Sequence, residues 1–592
     1  MKTIWSKYLY LCVYLIVTII FYIFVRSSSF IFEGIEYYTL SDDVMSGMRI
    51  AKNFANGHGL ISNIGEHPPV EAFTTFLWVM WMALIHYLPI HESKMGLVVQ
   101  LSAAIILFIN LTLTKLNTQL LTNNSIFSTL LSMLFVALSY PLVFWSLRGT
   151  EVCILVTLIN LALYIIFLNK DNFRSEHAIY LSIIFCLLYL IRNDSLISIV
   201  ILSIYIILVV GNKSKIQCAI IIFIPLIIIA IIYNIFRLQY YGDLLPNTYY
   251  VKLTGVSLFE RIERGITVFV KYTIKSYKAV FIIHIVLLYY LVKERLYNNY
   301  QNINILFLLF VSSICYSVYI GGDAWEWMAY TNRFITAMVI PNILLLVIAL
   351  RLIGSRLISS RALKYYGSIF ILSAFLIFVV KNYFQIDGWL KRYYFWSCLI
   401  SVNIAVGLLF LIFSKNIVQI YNTAIKIDNG ISFKRLLSVI IVFILIWAPT
   451  NGPSYAEFIF EDALHVKDDI NMSLLGLKLR SDTKNTDKIA LEWEGAIPYY
   501  SNRYSIGLLG KSDPYIARSE PRGVFIPGHN KWDYQHSIGK LKPDLIVQIS
   551  RANKEELKYI KELGYIRVKN NLVPADEFVP AYFYKKVGVV RE

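Results

Sequence analysis

Apolar runs of about 20 residues, each long enough to carry one helix across a hydrocarbon core of roughly 30 Å, recur from residue 8 to residue 449 and then stop. The first, Tyr8 to Val25, follows Lys2 and Lys7 and has no small-residue cleavage site after it, so a retained helix that starts inside is expected. Further runs fall near 95–114, 126–146, 150–168, 178–191, 195–211, 216–236, 274–292, 303–320, 334–350, 366–380, 393–413 and 435–449, which makes about thirteen spans. Only 16% of the 592 residues are charged, against about 25% in soluble proteins, too few to coat several soluble domains. The sequence therefore predicts a polytopic α-helical membrane protein. Its six cysteines lie in or beside the apolar runs and offer neither a disulfide framework nor a zinc site.

The net charge of +17 is informative only once it is placed along the chain. Residues 450–592 hold 21 Lys+Arg against 19 Asp+Glu, leaving 34 against 19 for residues 1–449. The basic excess thus belongs to the membrane part, as loop charge rather than as a nucleic-acid surface. The segment Phe73 to Ile90 decides which side those loops face. Taken as a helix lying along the outer surface, it leaves Lys115, Lys170, Arg174, Lys213, Lys215, Lys293, Arg295, Arg351, Arg356, Arg361, Lys364, Lys426, Lys434 and Arg435 inside, the arrangement that positive-inside topology demands. Counted as a span, it would put them all outside. Lys381, Lys391 and Arg392 count against the first choice. An odd number of spans places residues 450–592 outside the cytoplasmic membrane. Strand-like runs at Lys488 to Trp493 and Leu545 to Ile549, then a helix from Asn553 to Leu563 stopped by Gly564, predict a small α/β domain there.

With this topology the polar motifs that interrupt the apolar pattern all emerge on the outer face. A charge at mid-bilayer costs at least about 2.5 kcal/mol, which helix mouths avoid. Asp42 and Asp43 open a helix expected to run to Ala55, with Asp42, Arg49, Asn53 and Asn56 on one stripe and Val44, Met45, Met48 and Ala51 opposite. Such a helix is amphipathic and suited to lying on a membrane. Either acid can serve its first turn, as a cap or a partner of the helix dipole, and either can serve as a general base. Glu151 is a first-turn acid or a pocket residue; Arg192 and Asp194 are a local ion pair or part of a site. Asp323 follows Gly321 and Gly322 and precedes Trp325 and Trp327, a loop shaped for a ligand or an interfacial aromatic belt. Arg333 is suited to hold a phosphate. No nucleotide-binding glycine signature, HExxH or GxSxG is present.

The stretch from Asp42 through Leu60, with Asn63, Gly65, Glu66 and Glu71-Ala72-Phe73-Thr74-Thr75-Phe76-Leu77-Trp78, resembles bacterial GT-C glycosyltransferases, above all the group of the mycobacterial terminal β-arabinofuranosyltransferase. Arg148-Gly149-Thr150-Glu151 resembles that group's SGLET, and Tyr241 to Asn247 reads YGDLLPN as it does there. Gly321-Gly322-Asp323 with Arg333-Phe334 matches its GGD and RF. Gly495 to Tyr500, Leu508 to Arg518, Pro527-Gly528-His529 and Lys542-Pro543-Asp544 extend the likeness into the C-terminal part. Departures are Val44 for Ala, Gly47 for a bulky residue, and Arg148 where Gly or Ser is usual.

The resemblance implies a GT-C fold with juxtamembrane helices in the first outer loop, in a bacterial cytoplasmic membrane with an outward active site. It also implies a polyprenyl-phosphate sugar as donor, the sugar a furanose such as arabinofuranose, and inverting transfer to an acceptor hydroxyl on a glycan or glycoprotein. Asp43 or Asp42 is then the base. Arg333, followed by Arg192, Lys252, Arg49 and His58, would hold the donor phosphate. Glu151, Asp194, Asp243, Asn247, Asp323, Trp325, Asn53, Glu71 and His529 would line the substrate pocket. Arg and Lys suffice for a monophosphate leaving group, though the carboxylates could also take a divalent cation. The alternatives are a protein or oligosaccharide transferase on the same fold, and a lipid or solute transporter, against which stand the one-sided motifs and the lack of an internal repeat.

Overall fold

The computed structural model describes residues 2–209, 215–274, 301–326, 332–357, 433–461, 465–576 and 578–587, with isolated positions between 277 and 288 and at 368, 371 and 415. The spans expected near 366–380 and 393–413, most of that near 274–292, and Trp327, Lys213, Lys293, Arg295, Arg361, Lys364, Lys381, Lys391, Arg392 and Lys426 lie outside the described residues.

Among the described residues four helices are long and apolar enough to cross a membrane: Tyr8–Ser27, Glu92–Leu121, Lys215–Tyr241 and Asn302–Tyr319. The run expected as one span at 126–146 is two helices, Ile126–Ala137 and Tyr140–Leu147, bent by 46°. Pro141 explains the break: it lacks an N–H and sits in the first turn of the second helix, where that lack costs least. Val152–Leu168, Ser175–Ile191, Asn193–Leu208 and Val339–Arg351 are shorter apolar helices. Lys215–Tyr241 leaves Ile220, Ile224, Ile227, Ile228, Ile231 and Ile232 exposed, a surface that suits lipid and not water. Inside the bundle, Asn160 donates to Asn110 Oδ1 at 2.6 Å and accepts from Asn117 at 2.7 Å, pinning Val152–Leu168 to Glu92–Leu121.

Phe76–His86 has 11 residues and rises about 16 Å, half of what a span needs. At its end, His86 Nε2 lies 3.2 Å from Tyr499 Oη of the C-terminal domain. The helix Asp42–Ala55 packs beside it and has the predicted bounds. Its polar stripe is not turned to a membrane surface, however. Arg49 donates to Ser505 Oγ at 2.7 Å and to the Arg503 carbonyl at 2.8 Å, and Asp42 accepts from the Ala496 N–H, so these two dock on the C-terminal domain, while Asn53 is buried against the Ile61 and Ser62 carbonyls of its own segment and Asn56 is exposed. A polar stripe finds its hydrogen bonds as well in another domain's backbone as in water.

The C-terminal α/β domain carries a five-stranded sheet in the order Tyr504–Gly507, Lys488–Leu491, Leu545–Ile546, Tyr582–Lys586, Tyr565–Lys569. The first three are parallel and the last two pair antiparallel. Helix Lys554–Glu562 opens on an Asn553/Glu556 capping box and is followed by Gly564 at φ 85°. Helix ends sort the charges. Glu92, Glu151 and Arg333 mark ends near this domain and the cavity described below, whereas Lys115, Lys170, Lys215 and Arg351 lie toward the opposite ends of their helices or just beyond them.

Candidate active site

A cavity of about 330 Å³ lies between the helix bundle, the helix Asp42–Ala55 and the C-terminal domain. Its wall includes Asp42, Asp43, Glu151, Arg192, Asp194, Lys252, Asp323, Trp325, Arg333 and His529, ten of the residues singled out from sequence.

Asp42 and Asp43 occupy the first turn of their helix but face different partners. The Asp42 backbone N–H donates to Asp469 Oδ1 at 3.1 Å, and its own Oδ1 accepts from the Ala496 N–H at 2.8 Å. Asp42 therefore caps a helix of the C-terminal domain, Ala496–Ser501, rather than its own. A Cβ at Gly495 would collide with the Asp42 carbonyl and carboxylate, so only glycine permits this approach. Burial pushes the Asp42 carboxyl up to about 6, against the pull of Lys511. The Asp43 side chain is 41% exposed, with Oδ2 2.9 Å from Arg333 and Oδ1 3.2 Å from Lys511. Burial raises its pKa, but the charges of Lys511, Arg333 and Lys252 outweigh this and hold the carboxyl far below the usual range.

Arg333 follows Asn332, whose side chain accepts from Phe334 and Ile335 N–H and fixes the turn. Its guanidinium grips both oxygens of Asp323, at 2.8 and 2.9 Å, and reaches Asp43 with its third nitrogen. Gly321 and Gly322, at φ 90° and 81°, make the turn that delivers Asp323. Arg192 is similarly engaged, at 2.6 and 2.9 Å to Asp194 and 2.8 Å to Glu151. Lys252 has no hydrogen-bond or ion-pair partner among the described residues, and burial lowers its pKa. Trp325, Trp493 and His529 form a panel with ring centroids 5.3 to 5.4 Å apart. Burial pushes His529 down to about 4, leaving it neutral at pH 7.

The other singled-out residues are not in the cavity wall. Arg49 is held as described; Asn53 donates to the Ile61 and Ser62 carbonyls; His58 is exposed beyond the helix end. Glu71 pairs with Arg237 at 3.0 Å in the interior. Asp243 bonds Tyr250 and Arg518. Asn247 acts at one remove, donating to the Gly510 and Lys511 carbonyls at 2.8 and 3.0 Å and so setting the loop that carries Lys511. No group of three His, Cys, Asp or Glu able to hold a metal exists among the described residues. Arg192 pairs with Glu151 and Asp194, Arg333 with Asp323 and Asp43, and Lys511 with Asp43.

Sequence reasoning left out of the site Lys511, Trp493, Glu494 and the buried ion pair of Arg148 with Asp469. Lys511 stands in a Gly-Lys-Ser-Asp turn, a signal that a loop cation was present but not where it pointed. Chemically the cavity offers one accessible, ionised carboxylate beside a cluster of cations, an arrangement able to bind an anion and accept a proton next to it.

The described residues have the GT-C fold. ArnT from Cupriavidus metallidurans in the apo state aligns with a TM-score of 0.53 at 10% identity over 97% of this chain and 98% of that one. The same protein bound to undecaprenyl phosphate gives 0.53 at 8% identity over 98% of each chain. An Archaeoglobus fulgidus oligosaccharyltransferase, tethered to an acceptor peptide, aligns with a TM-score of 0.42 at 12% identity over 97% of this chain and 75% of that one. A family model described as a domain of unknown function, DUF8728, matches residues 465–584. No curated protein matches the sequence.

Proposed function

We propose that the protein is a membrane glycosyltransferase that moves a sugar from a polyprenyl-phosphate carrier to an acceptor hydroxyl, with Asp43 as general base. The observation that carries this reading is the accessible Asp43 carboxylate placed against Arg333 and Lys511, with Lys252 lining the same cavity. The fold shared with ArnT, which has been seen with undecaprenyl phosphate, supports a lipid-phosphate donor. The proposed sugar is a furanose such as arabinofuranose, on the strength of the sequence resemblance. Arg192, Lys252 and Arg333 are the proposed phosphate partners, and Glu151, Asp194, Asp323, Trp325 and His529 shape the pocket around the sugar.

In an inverting displacement the acceptor oxygen attacks the anomeric carbon, its proton passes to Asp43, and the electron pair of the broken bond leaves with the carrier phosphate. The cations hold Asp43 ionised before substrate arrives, which keeps it unprotonated but weakly basic. A donor phosphate among the same cations offsets their charge, so the Asp43 pKa rises toward the range a base needs as the donor binds. Coupling of basicity to donor binding follows from Arg333 and Lys252 acting on both groups. The cavity is proposed to open outside the cytoplasmic membrane of a bacterium, because the basic residues gather at the helix ends opposite to it.

The test is purified protein with radiolabelled polyprenyl-monophosphate sugars, arabinofuranose among them, and a panel of glycan, lipid and protein acceptors. Transfer that requires Asp43 is expected. Absence of transfer with every donor, or transfer that survives Asp42→Ala with Asp43→Ala, sinks the reading. Movement of intact lipid across the bilayer without transfer would instead favour the transporter.

A further inference from the structure

The helix Asn247–Leu253 has only seven residues, yet it supplies Thr248, Tyr249, Val251, Lys252 and Leu253 to the wall of the cavity. Isolated helices shorter than about 12–15 residues are marginal in water, so this one depends on what holds its ends. Toward the first outer loop, the Asn247 N–H donates to the Glu71 carbonyl at 3.0 Å. Further anchors come from the C-terminal domain. Besides the Asn247 side-chain bonds to the Gly510 and Lys511 carbonyls, Lys531 Nζ donates to the Tyr250 carbonyl at 3.0 Å and to the Ala517 carbonyl at 2.7 Å. The Tyr250 carbonyl also accepts from the Thr254 N–H that closes the helix. The Ala517 carbonyl lies in the last turn of Pro514–Arg518, the helix after the Lys511 turn, where carbonyls lack an intrahelical donor. One ammonium thus joins the C-terminal ends of two short helices, where the backbone dipoles favour a cation.

Lys531 is an expensive way to make this junction. It is 0% exposed and belongs to no ion pair among the described residues, and a buried cation without a counter-ion costs stability. Burial pushes its pKa down to about 8, against the pull of Glu520. A methionine of similar length would fill the space without that cost, so what the charge adds is its grip on the two carbonyls. The residue that gains from the grip is Lys252, two positions after Tyr250. Arg333, Arg192 and Lys511 are each held by carboxylates. Lys252 is placed through its backbone instead, with Gly528 of the C-terminal domain against its stem, where an added Cβ would meet Lys252 Cγ at 3.7 Å. The Arg518 guanidinium, 3.8 Å from the centroid of the Tyr250 ring, reinforces the same junction.

We propose that Lys531 is a positioning residue for the donor phosphate: by tying the helix Asn247–Leu253 to the C-terminal domain, it holds Lys252 in the cavity beside Arg333 and Arg192. Lys531 is not in the cavity wall and touches no substrate; it acts through Lys252. The C-terminal domain thereby completes the phosphate site as well as covering it. The effect of Lys531 on turnover rests on the transferase reading above, whereas its effects on the mobility of the helix and on lipid-phosphate binding do not.

The test uses the full chain in detergent, with hydrogen–deuterium exchange to read the helix and calorimetric titration of undecaprenyl monophosphate to read the site. Lys531→Met keeps the length and removes the charge, and Lys531→Gln, neutral and one atom shorter, serves as a second variant in case the first disturbs folding. In both, amides near the end of the helix Asn247–Leu253 should exchange about tenfold faster while those of the strand Lys488–Leu491 and the melting temperature are unchanged. Undecaprenyl monophosphate should bind about tenfold more weakly in Lys252→Ala and about fivefold more weakly in Lys531→Met. The double variant should bind no more weakly than Lys252→Ala alone, because Lys531 acts through the side chain already removed. In turnover the donor kcat/KM should fall about fivefold in Lys531→Met while the acceptor KM stays within about twofold, a split that general loss of structure would not give. Unchanged exchange in the helix, a Lys531→Met loss that adds in full to that of Lys252→Ala, or a native protein that binds no undecaprenyl monophosphate overturns the assignment. A protein that shows this coupling yet transfers no sugar would overturn the transferase reading and leave the positioning role of Lys531 standing.

Discussion

Replacing Asp43 by Asn separates catalysis from stability more cleanly than any other change at the site. The substitution removes a charge that pairs with Arg333 at 2.9 Å and Lys511 at 3.2 Å on a side chain 41% exposed. Ion pairs this open are worth about 0.2–1 kcal/mol each, so a stability loss of about 1 kcal/mol is expected. Arg333 keeps its two bonds to Asp323 and stays in place. Removal of a general base costs about 10²–10⁴ in rate, or roughly 3–5 kcal/mol of barrier. Asp42→Asn is the matched control, because Asn retains an Oδ1 that can accept from the Ala496 N–H. Single-turnover transfer at saturating donor should fall at least 100-fold in Asp43→Asn and less than tenfold in Asp42→Asn, with similar melting curves. Equal loss in both, or a fully active Asp43→Asn, would refute the assignment of the base.

Gly495→Ala should cripple transfer while leaving the distant bundle folded, since the new Cβ displaces Asp42; a native rate would show that the Asp42 contact with the C-terminal domain is dispensable. Arg333→Ala leaves Asp323, 2% exposed, without its cation, and should lower stability by about 3–5 kcal/mol in denaturant unfolding. Asp42 gives a stability signal with a definite sign. Its carboxyl is raised from 3.8 to about 6, so the contribution is fully present below the unfolded pKa and is lost as pH rises through about 6. The melting temperature of native protein, relative to Asp42→Asn, should therefore drop between pH 5 and pH 7. Cysteines placed at the exposed positions Asn123 and Lys554 should label from opposite sides, Lys554 from outside the cell; the reverse would invert the topology.

The helix Asp42–Ala55 was readable because acids at its start and apolar spacing along it are local facts, and the same holds for the Asn553 cap and the Gly564 stop. The gathering of Asp43, Asp323 and Arg333 was readable only through their shared side of the membrane, since residues 290 positions apart carry no local mark of meeting. Arg49 and Asn53 show the limit of a helical stripe. It says that a face is polar but not whether water, lipid headgroups, the following loop's carbonyls as for Asn53, or another domain's as for Arg49 will satisfy it. Asp42 and Asp43 are equivalent in sequence, and it is the Ala496 N–H, 454 positions away, that sets them apart. Lys511 and the Arg148–Asp469 pair were missed for the same reason: each joins the C-terminal domain to the helix Asp42–Ala55 or its neighbour by a contact that spacing does not encode.

The most direct measurement counts carrier against product. Purified protein in lipid nanodiscs, given a polyprenyl-monophosphate sugar labelled in both sugar and lipid and a glycan acceptor, should release one polyprenyl phosphate for each sugar joined to acceptor. The new linkage should have inverted anomeric configuration. Recovery of the doubly labelled lipid intact, with acceptor present and the protein folded, would contradict the account.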